Sequence, residues 1–161
     1  MITVSFVCLG NICRSPMAEL ICKHEVEKRN LALSFDIKSF ATSEYEVGNP
    51  IYTPAKRTLE KHGIEGTHIA RQITKKDVIN SDYILVMDTN NLFDVLRLTS
   101  GEFGEKIFKL CSFTSNPRDV ADPWYTGDFE RAFNDIYDGV NCFLDSLLKE
   151  KKEAFDYDKR H

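Results

Sequence analysis

Cys8 and Arg14 are separated by five residues in the run Cys8-Leu9-Gly10-Asn11-Ile12-Cys13-Arg14-Ser15, and these types at this spacing suit chemistry on an oxyanion. A short loop curled between a strand and a helix points successive backbone N–H groups inward, forming an anion-binding nest at the positive end of the helix. Arg14 adds a planar fork that holds two phosphate oxygens. Cys8 is expected at the bottom of this cradle, where the donors that bind phosphate also favour a thiolate, with Ser15 donating a further hydrogen bond to the sulfur. A thiolate beneath a bound phosphate is set for in-line attack and a cysteinyl-phosphate intermediate. The equatorial oxygens of the transferred group would then be stabilised by amides and Arg14, without a metal.

The departing oxygen needs a proton, which a carboxylic acid on a nearby loop can supply before activating water. Asp122, in Ala121-Asp122-Pro123-Trp124-Tyr125, is the best candidate. Pro123 biases it towards an extended conformation, and Trp124 and Tyr125 are suited to wall a slot for an aromatic ring. Asp-Pro is also common in turns, so the residues alone leave Asp122 open between acid and turn residue. Cys13 stays open between a packed thiol and a redox partner of Cys8.

The elements that must position these residues follow from periodicity. Ile2 to Cys8 predicts a buried strand and Leu9 to Arg14 a loop. Ser15-Pro16 predicts a helix start, with Ser15 as cap and Met17, Leu20, Ile21 and His24 on one face. Glu19, Lys23 and Glu27 fall on other faces. Gly10 and Asn11 tolerate the positive φ of a tight loop. Further strands are expected over Leu33 to Phe40, Tyr83 to Met87 and Lys106 to Leu110. Helices are expected from Thr53-Pro54 to Gly63, after Thr74, from Thr89 to Leu98, and from an Asp128 cap along the stripe Phe129 to Leu148 that includes Tyr137. Strands alternating with helices imply a parallel sheet with helices on both faces, and a ligand site beyond the carboxyl ends of the strands.

Composition narrows the class. The chain has 161 residues, 42% of them hydrophobic, with no repeat or linker, which predicts a single domain over residues 1–161 whose last ten or so residues fray. A net charge of -4, from 21 basic and 25 acidic residues, argues against a nucleic-acid binder. Ile2 to Leu9 is too short to span a membrane and lacks the flanks of a signal peptide. The five cysteines show no Cys-x-x-Cys pair. They predict reduced thiols, no structural zinc and a cytoplasmic protein.

From about Ile2 to Leu148 the chain resembles the low-molecular-weight protein tyrosine phosphatase family. The resemblance rests on the Cys8 to Ser15 signature, on Asp122-Pro123, and on Ser39, Tyr45, Gly48-Asn49-Pro50, His62-Gly63-Ile64, His68, Ala70-Arg71-Gln72, Asp82-Tyr83-Ile84 and Met87-Asp88 in order. It implies a three-layer flavodoxin-like α/β fold with four parallel strands, no cofactor, phosphotyrosine-containing protein substrates and inhibition by phosphate or other oxyanions. By the same resemblance Cys8 is the nucleophile, Arg14 binds phosphate and Asp122 is the general acid. Asn11, Ser15, Ser39 and His68 form the network that holds the loop, Ile12, Tyr45, Trp124 and Tyr125 wall the cleft, and Cys13 is the redox partner of Cys8. Two positions depart from the pattern. Ile51-Tyr52-Thr53-Pro54 replaces a Pro-Asp-x-Arg run, and Trp124 replaces the first of two tyrosines, so phosphorylation of that loop would use Tyr125. Arsenate reductases share the fold but need relay cysteines near the third strand, and Tyr83 to Leu98 contains none. A silent phosphate-binding adaptor would not need Cys8, Arg14 and Asp122 together.

Overall fold

Ile2–Cys8 (β1) is buried on both faces from Val4 onward because helices cover both faces. It pairs in parallel with Phe35–Ala41 (β2) on one side and Tyr83–Val86 (β3) on the other, and β3 pairs with Ile107–Lys109 (β4), giving the order β2-β1-β3-β4. The computed structural model describes the backbone of residues 1–160 and the side chains of residues 1–151. The expected fraying falls on the last ten residues, whose side chains, with the backbone of His161, lie outside the described residues.

Alternation along β1 divides the interior. Val4, Phe6 and Cys8 face a core shared with Arg14–Lys28 (α1), Thr53–Lys61 (α2) and Phe129–Arg160 (α6). Val7 faces a second core with Ile84, Val86, Ile107, Val78 of Lys75–Asn80 (α3) and Val95 of Thr89–Leu98 (α4). The result is the expected flavodoxin-like three-layer arrangement. Phe6 and Phe143 are fully buried, each contributing on the order of 2–3 kcal/mol. Ser5 is also fully buried, and its hydroxyl is satisfied by Ser81 Oγ at 2.7 Å. Gly139 lets α6 press against the turn at Leu110, where an added Cβ would stand 2.7 Å from Leu110 Cγ.

The helix signals hold at α2, which carries Pro54 in its first turn, and at α3, where Thr74 and Asp77 form a capping box. Three expectations need correction. The first helix begins at Arg14, with Cys13 rather than Ser15 at the cap position, because the Ser15 hydroxyl is engaged inside the loop. Glu19, on a face other than the apolar one, is also buried at 6% exposed, since α1 is covered on nearly every side. Leu33 is exposed in a 3₁₀ turn before β2, so the strand begins at Phe35. The stretch after Asp122 is one helical turn, Pro123–Thr126 (α5), closed by Gly127 at φ 72°. At the edge of the α6 stripe, Tyr137 is 39% exposed.

Candidate active site

β1 and β3 are adjacent, and the connections from β1 to β2 and from β3 to β4 run to opposite sides of the sheet, which opens a crevice at the carboxyl ends of β1 and β3. The 8–14 loop fills that crevice. Its tight turn is made by Asn11 alone, at φ 59°, while Gly10 keeps an ordinary conformation. Four carbonyls of the loop are engaged with neighbouring backbone: Cys8 O accepts from Thr42 N at 2.9 Å, Leu9 O from Ser43 N at 3.1 Å, Ile12 O from Tyr52 N at 2.8 Å and Cys13 O from Met17 N at 3.0 Å. The N–H groups of Gly10, Ile12, Cys13 and Arg14 have no acceptor among the described residues. Those four residues line one cavity of about 160 Å³ with Cys8, Leu9, Asn11, Tyr45, Glu46, Asp122, Trp124 and Tyr125. Carbonyls engaged and amides unspent is the arrangement an anion requires.

Three donors converge on Cys8 Sγ: Ser15 Oγ at 2.9 Å, Asn11 N at 3.3 Å and Ser15 N at 3.4 Å. The direction of the network behind them can be worked out from its charged end. Ser39 Oγ donates to Glu19 Oε1 at 2.6 Å. Asn11 Nδ2 then donates to Ser39 Oγ at 3.0 Å and to Ser15 Oγ at 2.7 Å, which leaves the Ser15 hydrogen two acceptors, Cys8 Sγ at 2.9 Å and Phe40 O at 3.4 Å, and the sulfur is much the closer. Asn11 Oδ1 accepts from Arg71 N at 3.1 Å and faces His68 Nε2 at 2.6 Å. Burial lowers the His68 pKa below its ordinary value, with Glu19 opposing and Arg71 adding to the shift, so the ring is neutral and its Nε2–H donates to Asn11.

Arg14 is 3% exposed, and its guanidinium is already held: Nη1 donates to Asp88 Oδ2 at 2.7 Å and to Val120 O at 2.9 Å, and Nη2 lies 3.4 Å from Asp122 Oδ2. Burial works against its charge, but Cys8, the Asp88 hydrogen bond and Asp122 more than offset this, so the group is held above the ordinary arginine value. Asp122 caps α5, its Oδ1 accepting from Trp124 N at 3.0 Å. Cys13 is 5% exposed and its thiol is pushed up to about 12, by burial first and then by Cys8 and Asp122.

The residues singled out in the sequence therefore meet in one place, in two tiers. Cys8 to Arg14, Tyr45, Asp122, Trp124 and Tyr125 line the cavity, whereas Ser15, Ser39 and His68 lie behind it. Tyr45, Trp124 and Tyr125 are exposed at its mouth. Sequence reasoning missed Glu19, Asp88 and Glu46 as parts of the site. Glu19 pairs with Lys23 at i,i+4, the pattern of a solvated face, which hides its burial. Asp88 carries a local signal only as the cap of α4, through Oδ1, while its other oxygen reaches Arg14.

A flavodoxin-like sheet with an oxyanion cradle at its switch point defines the class of protein, and comparison with known proteins narrows it. The family described as low molecular weight phosphotyrosine protein phosphatase matches residues 3–154. The chain is 39% identical over 148 residues to the human low molecular weight phosphotyrosine protein phosphatase, covering 89% of this chain and 94% of that one. It is 41% identical over 154 residues to that of Schizosaccharomyces pombe, covering 92% and 96%. The crystal structure of YfkJ from Bacillus subtilis superposes with a TM-score of 0.90 at 36% identity, covering 94% of this chain and 97% of that one. The chain belongs to the low molecular weight phosphotyrosine protein phosphatase family and is a tyrosine phosphatase, an enzyme of the hydrolase class. No helix among the described residues is long and apolar enough to cross a membrane.

Proposed function

We propose that residues 1–161 form a single phosphatase domain that hydrolyses phosphotyrosine in protein substrates, and small aryl phosphates, through a phosphocysteine at Cys8. The observation that carries this reading is the convergence of three donors on Cys8 Sγ at the floor of a cavity whose loop amides are unspent. The phosphate sits on those amides and on the free edge of Arg14. The thiolate attacks phosphorus, forming the S–P bond as the bond to the phenol oxygen breaks, and Asp122 gives its proton to that oxygen. Water then attacks the phosphocysteine. Asp122, now a carboxylate, takes a proton from it, and the thiolate departs with inorganic phosphate released.

The approach of Asp122 Oδ2 to Arg14 Nη2 gives the acid a resting place. A bound phosphate would compete for Arg14 and leave Asp122 facing the departing oxygen. Because Arg14 and the amides meet the phosphate charge, the reaction needs no metal. Free phosphate and similar oxyanions would compete for the same cradle. Ile12, Tyr45, Trp124 and Tyr125 wall a slot suited to an aromatic ring. All five cysteines are free, which fits a reducing compartment such as the cytoplasm. On oxidation, peroxide would convert Cys8 to the sulfenic acid, and the Cys13 thiol would displace water from it to form a disulfide.

Hydrolysis of an aryl phosphate in EDTA tests the proposal. Activity should persist in chelator, vanish in Cys8→Ser and fall strongly in Asp122→Ala. Normal turnover by the Cys8→Ser protein would rule it out.

A further inference from the structure

We propose that Tyr52 is a positioning residue that ties the loop carrying Asp122 to the phosphate-binding loop. Its backbone N–H donates to Ile12 O at 2.8 Å, which anchors it to the phosphate side. Its ring meets Trp124, with centroids 4.9 Å apart at 52°, and reaches Phe129, the first residue of α6, at 6.0 Å. The backbone on either side is fixed, since Ile51 is buried in the main core and Pro54 lies in the first turn of α2. Tyr52 is thus a rigid bracket with a contact on each wall of the site. It belongs to the Ile51-Tyr52-Thr53-Pro54 run that departs from the family pattern.

The wall it supports needs support. Pro123–Thr126 is a single helical turn ending at a left-handed glycine, and one turn does not hold itself. Trp124 N is the donor that orients the Asp122 carboxylate, at 3.0 Å from Oδ1. The Trp124 ring is half exposed, and the aromatic contact it makes is with Tyr52. Loss of the Tyr52 ring would let α5 rotate and carry Asp122 out of line with the leaving oxygen, while Cys8, Arg14 and the loop amides stayed in place.

This inference rests on Asp122 as proton donor, so its test separates the two. We would measure kcat/KM for phenyl phosphate, whose leaving group needs a proton, and for p-nitrophenyl phosphate, whose leaving group hardly does. In Tyr52→Ala, phenyl phosphate should lose about tenfold, part of the roughly 10²–10⁴-fold that a positioned acid supplies, and p-nitrophenyl phosphate at most about twofold. Tyr52→Phe should stay within about twofold of the parent on both, because the ring is what this role requires. Trp124 is the only tryptophan in the chain, so its emission reports the contact directly. Acrylamide quenching should rise in Tyr52→Ala and not in Tyr52→Phe. If Tyr52→Ala does not fold, Tyr52→Leu carries the same comparison. Equal losses on both substrates, or none, with unchanged quenching would overturn the role of Tyr52. If Asp122→Asn itself fails to discriminate between the substrates, the assignment of Asp122 as proton donor fails instead.

Discussion

Arg14 Nη1 stands 2.7 Å from Asp88 Oδ2, and this ion pair fixes which edge of the guanidinium remains for a ligand. An arginine near a helix N-terminus is electrostatically misplaced unless anions surround it. Here Asp88 and Asp122 provide them in the absence of phosphate. Asp88→Asn keeps a residue able to cap α4 but removes the charge. We expect kcat/KM for an aryl phosphate to fall about tenfold and stability to fall by about 1–3 kcal/mol, less than for a fully buried pair because Asp88 is 22% exposed. Steady-state kinetics and urea denaturation check both. Unchanged kinetics would show that Arg14 is positioned without Asp88.

The Ser15 hydroxyl is the nearest donor to Cys8 Sγ: Asn11 supplies the hydrogen its oxygen accepts, and its own hydrogen finds the sulfur at 2.9 Å ahead of Phe40 O at 3.4 Å. Ser15→Ala should slow alkylation of Cys8 by iodoacetamide at pH 7 several-fold and lower kcat by about tenfold, the worth of one hydrogen bond to a charged group. Mass mapping of the alkylated peptide and a rate assay measure the two effects. Alkylation at the parent rate would mean that the Ser15 hydroxyl does not set the reactivity of Cys8.

His68 links this network to pH. Its folded pKa is lowered by burial, so the unfolded chain binds the proton more readily. The stabilisation from a neutral His68 is therefore present in full above the unfolded value of about 6.5 and is lost as pH falls from there to the lower folded value. The loss is about 1.4 kcal/mol for each pH unit between the two values. Urea titrations at pH 7.5 and pH 5 should show this loss in the parent protein and a smaller one in His68→Gln. An identical pH slope in the two proteins would remove His68 from the account.

The thiols should differ sharply in reactivity. Burial pushes both Cys13 and Cys22 up to about 12 and Cys111 up to about 11, so all three are neutral thiols at pH 8. One equivalent of iodoacetate should label Cys8 first, abolish activity, and be slowed by inorganic phosphate in the cradle. Closure of a Cys8–Cys13 disulfide after peroxide should be slow at pH 7 and accelerate as pH rises, because Cys13 must lose its proton. Peptide mapping that finds first label at Cys13 or Cys22 would contradict this order.

How far the sequence could be read depended on how local each cause was. β1, the Thr74 cap and α4 over Thr89–Leu98 are set by short-range patterns and were legible. So was the cradle of Cys8 to Ser15, because one loop holds the thiol, the amides and the arginine. What escaped is long-range. Glu19 looks solvated from its own helix and is buried only because Ser39 and His68 arrive from other elements. Asp88 reaches Arg14 across 74 residues of chain. The contact of Tyr52 with Trp124 depends on how α2 and α5 approach each other. Ser15 failed as a cap because its hydroxyl had a stronger claim inside the loop.

The central claim is that a phosphoryl group passes through the sulfur of Cys8. Rapid denaturing quench of the Asp122→Asn protein with ³²P-labelled p-nitrophenyl phosphate, whose leaving group hardly needs the acid, followed by peptide mapping, tests it most directly, because loss of the base slows hydrolysis and lets the intermediate accumulate. The account predicts a trapped label on the Cys8 peptide, formed with the burst of the nitrophenol and absent in Cys8→Ser. A nitrophenol burst with the label on any other residue would contradict it.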